Sequence, residues 1–498
     1  MRSNSERLYR IIVWVVLISA ILFRLPFLVT DRMWPDEALY AWYAKQIFTH
    51  PLFLFSGDIS QFHPPLFALL LSIGHFFFPS EQACRVVVFL INILGIAGIY
   101  LLGTRIQGRF LGCFAAMMLS FNPLYLTMSS FILIDGVLAV FMIVFFYVLA
   151  KISDGKIARQ DFLLGCAVMA LILLKWSAGL ILPFLLLYYL LAFPRLTFRE
   201  RLMKGAVPLI FGALTIGILL WHNYAVSGSY LPKVFEVSGG VYRQPFFYYF
   251  NKFIGNSVYA PFVPFFIIGL WVALRSDKRN CWVHGFWVVF ALLSISAMPD
   301  KDFRFMLPII PSIVLVTGMG FEAFLPMTEK KTTLRFLKPL CLILIFGFLV
   351  FFKYPKIEKY MMDQSLTYIG FQTAGSYVKE EAAGSPDALI LASSPRMIRY
   401  YTDIDLKEAG GKLSYIPEHE AEFVAMIEHS SSDVILVIDI WEWAQPQWIY
   451  PFEDRHFKFL EGLGFKLQRV ISRDIKDEAD RLQNKAVVMI FHRIGKKR

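Results

Sequence analysis

Charge is scarce in this chain of 498 residues: Asp, Glu, Lys and Arg make up 17% of it, against roughly 25% in ordinary soluble domains. Hydrophobic residues reach 57%, and the two figures together exclude a single water-soluble globule. Cysteine is sparse as well. Cys84, Cys113, Cys166, Cys281 and Cys341 lie in or beside apolar runs without C-x-x-C spacing, which indicates neither a zinc site nor a disulfide framework. There is no Gly-rich phosphate loop after any strand-like run, no repeat of solenoid period and no low-complexity tract, so nucleotide binding and a repeat array have no support. With 49 Phe, 22 Tyr and 11 Trp, the chain has too much apolar material to stay disordered. Acidic residues are outnumbered 38 to 49, for a formal charge of +11, and the positions of the cations decide whether that excess implies an acidic partner such as nucleic acid.

What is present in quantity is apolar sequence of membrane-crossing length, about 20 helical residues per span. Such runs lie near 9–29, 83–104, 108–128, 132–151, 161–174, 178–193, 205–225, 256–274, 281–298, 305–326 and 339–354, which predicts a polytopic α-helical membrane protein of about eleven spans. The division between 161–174 and 178–193 is set at Lys175. The first run is too long for a signal peptide, Arg24 interrupts its far end and no small-residue cleavage pattern follows, so it reads as a retained anchor.

Short cytoplasmic loops carry the Lys/Arg excess. With the N-terminus inside, the inner connections hold Arg2, Arg7 and Arg10; Arg105 and Arg109; Lys151, Lys156 and Arg159; Arg195, Arg199, Arg201 and Lys204; Arg275, Lys278 and Arg279; and Lys330, Lys331, Arg335 and Lys338. Every inner connection is then basic, and most of the net charge is orientation rather than a nucleic-acid surface. The outer side receives segment 30–82, the region 121–136, the turn at Lys175, loop 226–255, the short loop 299–304 and the chain after 355. From residue 357 the pattern becomes that of a soluble α/β domain: 388–392, 434–438 and 486–491 are short β-branched runs, with helical spacing at 417–428 and 452–463. The expected organisation is a membrane domain over 1–356 and an extracytoplasmic α/β domain over 357–498.

Within the outer segments, Trp34-Pro35-Asp36-Glu37-Ala38-Leu39-Tyr40 reads in two ways. Pro followed by two carboxylates is an ordinary helix start, with an apolar face on the interface. Adjacent helical residues also point about 100° apart, so Asp36 and Glu37 divide naturally into a base and a positioning group. His63-Pro64-Pro65-Leu66 opens a short apolar helix, where His63 is either an interfacial histidine or a substrate-positioning one. Asp135 heads an otherwise uncharged apolar run, where an ionisable group costs at least ~2.5–3.5 kcal/mol and is functional by default. Outer-side cations run against the orientation pattern: Lys175, Arg304, Arg85, Lys301 and Arg243 either snorkel individually or form a pocket for a lipid-linked phosphate.

The order of these features, with Trp-Pro-Asp36-Glu37 after the first span, His63-Pro-Pro-Leu, Arg85, Ile-Asp135-Gly, Leu-Leu-Lys175 followed by Leu-Pro183, and Arg304-Phe-Met-Leu-Pro, resembles the GT-C type membrane glycosyltransferases. Among these it is similar to the protein O-mannosyltransferase and lipid A aminoarabinose transferase family over roughly 1–325. In the protein mannosyltransferases His-Pro-Pro is usually followed by Leu-Gly-Lys; here Leu66-Phe67-Ala68 stands there, which argues against a protein acceptor.

The resemblance implies inverting transfer of a sugar from a polyprenyl-phosphate donor to a lipid, glycan or protein acceptor at the outer face of the cytoplasmic membrane. Asp36 is the expected base, Glu37 an orienting group, Lys175 and Arg304 the groups that stabilise the departing phosphate, with Arg85, Lys301 and Arg243 around them. Asp135 is expected to help position sugar or acceptor, with His63, Tyr40 and Trp34 positioning substrate. No Asp-x-Asp pair occurs in the first outer loop, so no obligatory metal or other cofactor is expected, though a divalent ion at Asp36 and Asp135 is left open. A transporter or lipid flippase is the alternative; it would be expected to show internal repeats and a helix broken at the midplane. A channel-like protein with a sensor domain leaves Trp34–Tyr43 unexplained.

Overall fold

The computed structural model describes residues 2–56, 59, 63–78, 80–152, 159–232, 243–255, 260–298, 301–325, 337–406, 411–441, 446–476 and 481–495. Of the residues used above for orientation, Lys156, Lys330, Lys331 and Arg335 lie outside these, as do Pro299 and Asp300 of the Arg304 segment. The chain divides into two compact units, one of Met1–Leu28 with Tyr43–Ile357 and one of Val29–Trp42 with Glu358–Arg498.

The first unit is helical. Among the described residues, five helices are long and apolar enough to cross a membrane: Glu6–Phe27, Glu81–Gln107, Phe198–Ser227, Arg279–Ala297 and Leu337–Ser365. Shorter apolar helices occupy Leu66–Phe76, Arg109–Ser120, Ile134–Leu149, Trp176–Ala192, Ala260–Leu274 and Ile310–Phe324. The run expected as one span over 108–128 is broken. Asn122 accepts the Tyr125 N–H at 2.8 Å and Pro123 starts a new helix, Pro123–Met128, because an Asn cap followed by Pro is a stronger start signal than a continuous apolar run is a reason to carry on. Helices Val263–Leu274 and Ile310–Phe324 meet backbone to backbone: a methyl at Gly269 would overlap the Val316 carbonyl oxygen, and one at Gly320 that of Phe265. Close approach through small residues is how helices associate where lipid removes the hydrophobic drive.

Arg24, the charge that breaks the first apolar run, is fully buried. Its Nε donates to Ser129 Oγ (2.9 Å), Nη1 to the Ala20 carbonyl (3.0 Å) and Nη2 to the Ser120 carbonyl (3.3 Å). Ala20 lies near the end of helix Arg2–Leu22, Ser120 ends Arg109–Ser120 and Ser129 follows Pro123–Met128. The guanidinium therefore sits where three helices present their partly negative carboxyl ends, and among the described residues no carboxylate pairs with it. The segment it fixes leads directly into Asp135.

The second unit is α/β. Strands β1 (Leu389–Ala392), β2 (Leu413–Tyr415), β3 (Val434–Asp439), β4 (Lys466–Lys476) and β5 (Leu482–Arg493) form one sheet in the order β2-β1-β3-β5-β4, parallel for β2-β1-β3 and antiparallel beyond. The β-branched runs predicted at 388–392, 434–438 and 486–491 are β1, β3 and part of β5. The apolar β3, buried at every position, is the centre of a core with Phe423, Ile427, Leu460 and Phe491. Asp433, just before β3, ties the ends of this sheet together: it accepts from Ser385 Oγ at 2.6 Å and from the Gly495 N–H at 2.8 Å, with His492 Nε2 at 3.7 Å.

Those bonds, the Ser385 one foremost, hold the Asp433 carboxyl below the usual carboxylate range. A depressed folded-state value means the contribution is complete above the ordinary unfolded value of about 3.9 and is lost as pH falls through the lower folded one. Asp433→Asn should therefore unfold at lower temperature than wild type at pH 7, and the gap should narrow as pH drops below about 4. Thermal unfolding of the full-length protein followed by fluorescence checks this; a constant gap would show that the charge is not what Asp433 contributes.

Candidate active site

Pro35 starts helix Pro35–Thr49 and puts Asp36 and Glu37 in its first turn. Their neighbouring directions send them to different environments. Glu37 turns inward: its Oε2 accepts the Trp34 N–H at 3.1 Å and pairs with Arg32 Nη2 at 3.4 Å, with both side chains wholly buried. The Arg32 guanidinium also lies over the Trp34 ring at 4.0 Å. Asp36 turns outward, 41% exposed, with Oδ1 at 3.5 Å from Arg396 Nη1. Trp34 donates its indole N–H to Thr367 Oγ1 at 3.2 Å and meets Tyr368 edge-on, while Tyr40 is buried in the helix. All of these belong to the second unit.

In the first unit Asp135 is in the first turn of helix Ile134–Leu149 and is buried. Lys175, extended between helix Arg159–Leu174 and the turn Trp176–Leu180, donates from Nζ to Asp135 Oδ1 at 2.6 Å, with side-chain exposures of 14% and 4%. The two residues named separately from the sequence thus form one ion pair. Pairing offsets the cost of placing either group where a lone ionised side chain is expensive. Lys175 Nζ is also 5.3 Å from the Phe305 ring, which brings it beside the turn Phe303–Met306 that carries Arg304. Arg304 is fixed there by Asp302, whose Oδ1 accepts its backbone N–H (2.9 Å) and whose Oδ2 accepts its Nε–H (2.8 Å).

The remaining predicted residues are more dispersed. Lys301 is buried and gives its ammonium to the carbonyls of Gln244 (2.8 Å) and Met298 (2.6 Å), so it ties backbone together beside the exposed Arg243. Arg85 is buried near the start of helix Glu81–Gln107, in its second turn. His63 is half-buried ahead of Pro64 and Pro65, its backbone N–H bonded to the Ile59 carbonyl. Among the described residues no three His, Cys, Asp or Glu side chains gather to hold a metal ion. Arg32, Arg396 and Arg399 were not singled out from the sequence. Arg396 meets a residue 360 positions away, and nothing local announces such a partner.

Residues 62–222 match the family model described as dolichyl-phosphate-mannose-protein mannosyltransferase, a stretch that contains His63, Arg85, Asp135 and Lys175 but not Asp36. The structure is similar to that of ArnT from Cupriavidus metallidurans in the apo state, with 15% identity, a TM-score of 0.65, and coverage of 96% of this chain and 97% of that one. The chain has the GT-C glycosyltransferase fold. ArnT bound to undecaprenyl phosphate matches with 16% identity, a TM-score of 0.63 and the same coverage. A further GT-C structure, the archaeal oligosaccharyltransferase AglB from Archaeoglobus fulgidus in complex with an inhibitory peptide and a dolichol-phosphate, matches at 12% identity and a TM-score of 0.55, over 95% of this chain and 74% of AglB. A relative from Aquifex aeolicus (strain VF5), itself uncharacterized, is 23% identical over 340 residues, which span 65% of this chain and 66% of that protein. The chain is a multi-pass membrane protein that shares its fold with these membrane glycosyltransferases.

Proposed function

We propose that this protein transfers a sugar from a polyprenyl-phosphate donor to the hydroxyl of a lipid, glycan or protein acceptor, with inversion at the anomeric carbon. The observation that carries the reading is the match of nearly the whole chain to ArnT, one of whose structures holds undecaprenyl phosphate. In this reading about eleven spans place the N-terminus in the cytoplasm, and the catalytic face and the 357–498 domain lie outside the inner membrane, an orientation supported by the basic inner connections.

Asp36 takes the proton of the acceptor hydroxyl as its oxygen attacks the anomeric carbon. The bond from that carbon to the phosphate oxygen breaks, and polyprenyl phosphate leaves with the electron pair. Growing charge on the phosphate is met by Lys175 and Arg304, with Arg85, Lys301 and Arg243 contributing to the positive surroundings. Asp135 aims Lys175, and Glu37 fixes the helix start that presents Asp36. His63, Tyr40 and Trp34 shape the substrate approach.

The test is incubation of membranes containing the protein with a radiolabelled polyprenyl-phosphate sugar. Label recovered in lipid, glycan or protein supports transfer; label moved across vesicles with the donor intact would assign the chain to transport.

A further inference from the structure

We infer that Arg396, far from Asp36 in sequence, is a positioning residue that holds the Asp36 carboxylate in its working orientation. This rests on Asp36 being the base.

The argument starts from the sheet of the second unit. Its first strand lies between β2 and β3, both parallel to it, so the chain leaves β1 toward one side and returns on the other. Open α/β sheets hold their ligands beside the carboxyl ends of the strands at such a switch point. Here that place receives the chain's own segment 29–42. Met33 donates its N–H to the Tyr368 carbonyl (3.1 Å), Trp34 packs on the Tyr368 ring, and Tyr368 donates its hydroxyl to the carbonyl of Trp441, just past β3 (3.1 Å). Asp31 accepts from the Gly370 N–H at 3.3 Å and from Arg473 Nε at 3.4 Å.

The other side of the switch point supplies two arginines. After β1 come Ser393 and Ser394, then helix Pro395–Thr402. Ser394 Oγ donates to Asp439 Oδ2 (2.9 Å) and Ser393 Oγ accepts the Asp439 N–H (3.2 Å), which ties the start of this helix to the end of β3. Residues three apart share a helix face. Arg399 lies over the Trp42 ring at 3.3 Å and pairs with Asp405 at 3.0 Å, while Arg396 reaches Asp36 at 3.5 Å. This helix thus supplies Arg396 to Asp36 and Arg399 to Trp42 and Asp405, while Arg32 and Glu37 of the Asp36 segment are joined to each other. Arg396 is the cation on the Asp36 carboxylate, and it stands on a platform bolted to the sheet. A group that only anchored the segment would serve equally from Arg473, at the Asp31 end; Arg396 reaches the carboxylate itself.

The experiment measures transfer by the full-length protein from a radiolabelled polyprenyl-phosphate sugar across the pH range, for wild type, Asp36→Asn, Arg396→Gln, Arg396→Lys and Arg473→Ala. Arg396→Gln should lower kcat on the order of tenfold or more, leave donor KM unchanged, and move the acid limb of the rate profile to higher pH as the carboxylate loses its cation. Arg396→Lys should recover part of the rate and return the limb toward its original place. Arg473→Ala should leave the limb where it is, whatever looser docking of the segment does to kcat. Wild-type kcat and an unmoved limb in Arg396→Gln, with Asp36→Asn inactive, overturn the inference alone. An active Asp36→Asn overturns the base assignment instead. Should Arg396→Gln fail to accumulate, Arg396→Met decides: wild-type kcat with an unmoved limb overturns the proposal.

Discussion

Asp36→Asn should abolish transfer, with rates expected to fall about 10²–10⁴-fold, the usual worth of a general base. The amide keeps the shape of the carboxylate and its place in the first helical turn but has no basic lone pair to take the acceptor proton. Because Asp36 is 41% exposed and its ion pair is open to solvent, the substitution should leave expression and donor binding largely intact. Its neighbour gives the contrast. Glu37→Gln strands Arg32 in a pair whose side chains are fully buried, and breaking a buried pair costs about 3–5 kcal/mol. Loss of yield and thermal stability should therefore accompany Glu37→Gln and be nearly absent in Asp36→Asn. Near-normal turnover in Asp36→Asn removes it from the base role.

The second large effect falls on Lys175. Lys175→Ala leaves Asp135 as an uncompensated carboxylate that is 4% exposed, at a cost of about 3–5 kcal/mol, and also removes the cation expected to face the departing phosphate. The two losses separate in a double variant. Replacing both partners, Asp135→Leu with Lys175→Met, removes the buried charges together, and such swaps are often neutral or stabilising. Stability should return in the double variant while donor binding and transfer do not. Binding of polyprenyl phosphate at wild-type affinity by that variant would leave Lys175 with a structural role only.

Much of the membrane unit was legible because apolar length is a one-dimensional signal. Each run read from the sequence overlaps a described helix, with 108–128 broken at Asn122-Pro123. In the second unit β1, β3 and β5 were legible from β-branched runs, whereas β4, Lys466–Lys476, is too polar to stand out and is a strand because β5 supplies its partner. The site was legible as residue types and not as pairs. Asp135 and Lys175 are 40 residues apart and Asp36 and Arg396 are 360 apart; such contacts are decided by tertiary packing, on which periodicity carries no information. Lys301 shows the converse: a cation on the expected list is satisfied by two carbonyl oxygens.

Arg24 joins three helix ends without an acid. Asp433 holds its part of the sheet through a carboxylate, and acid loosens that latch. Among the described residues the Arg24 joint is hydrogen-bonded to carbonyl oxygens and a serine hydroxyl, none of which gains a proton in ordinary acid. The two units are thus built to fail differently. On acidification the sheet should loosen first, and the entry to the Asp135 helix should keep its geometry after the latch at Asp433 has gone.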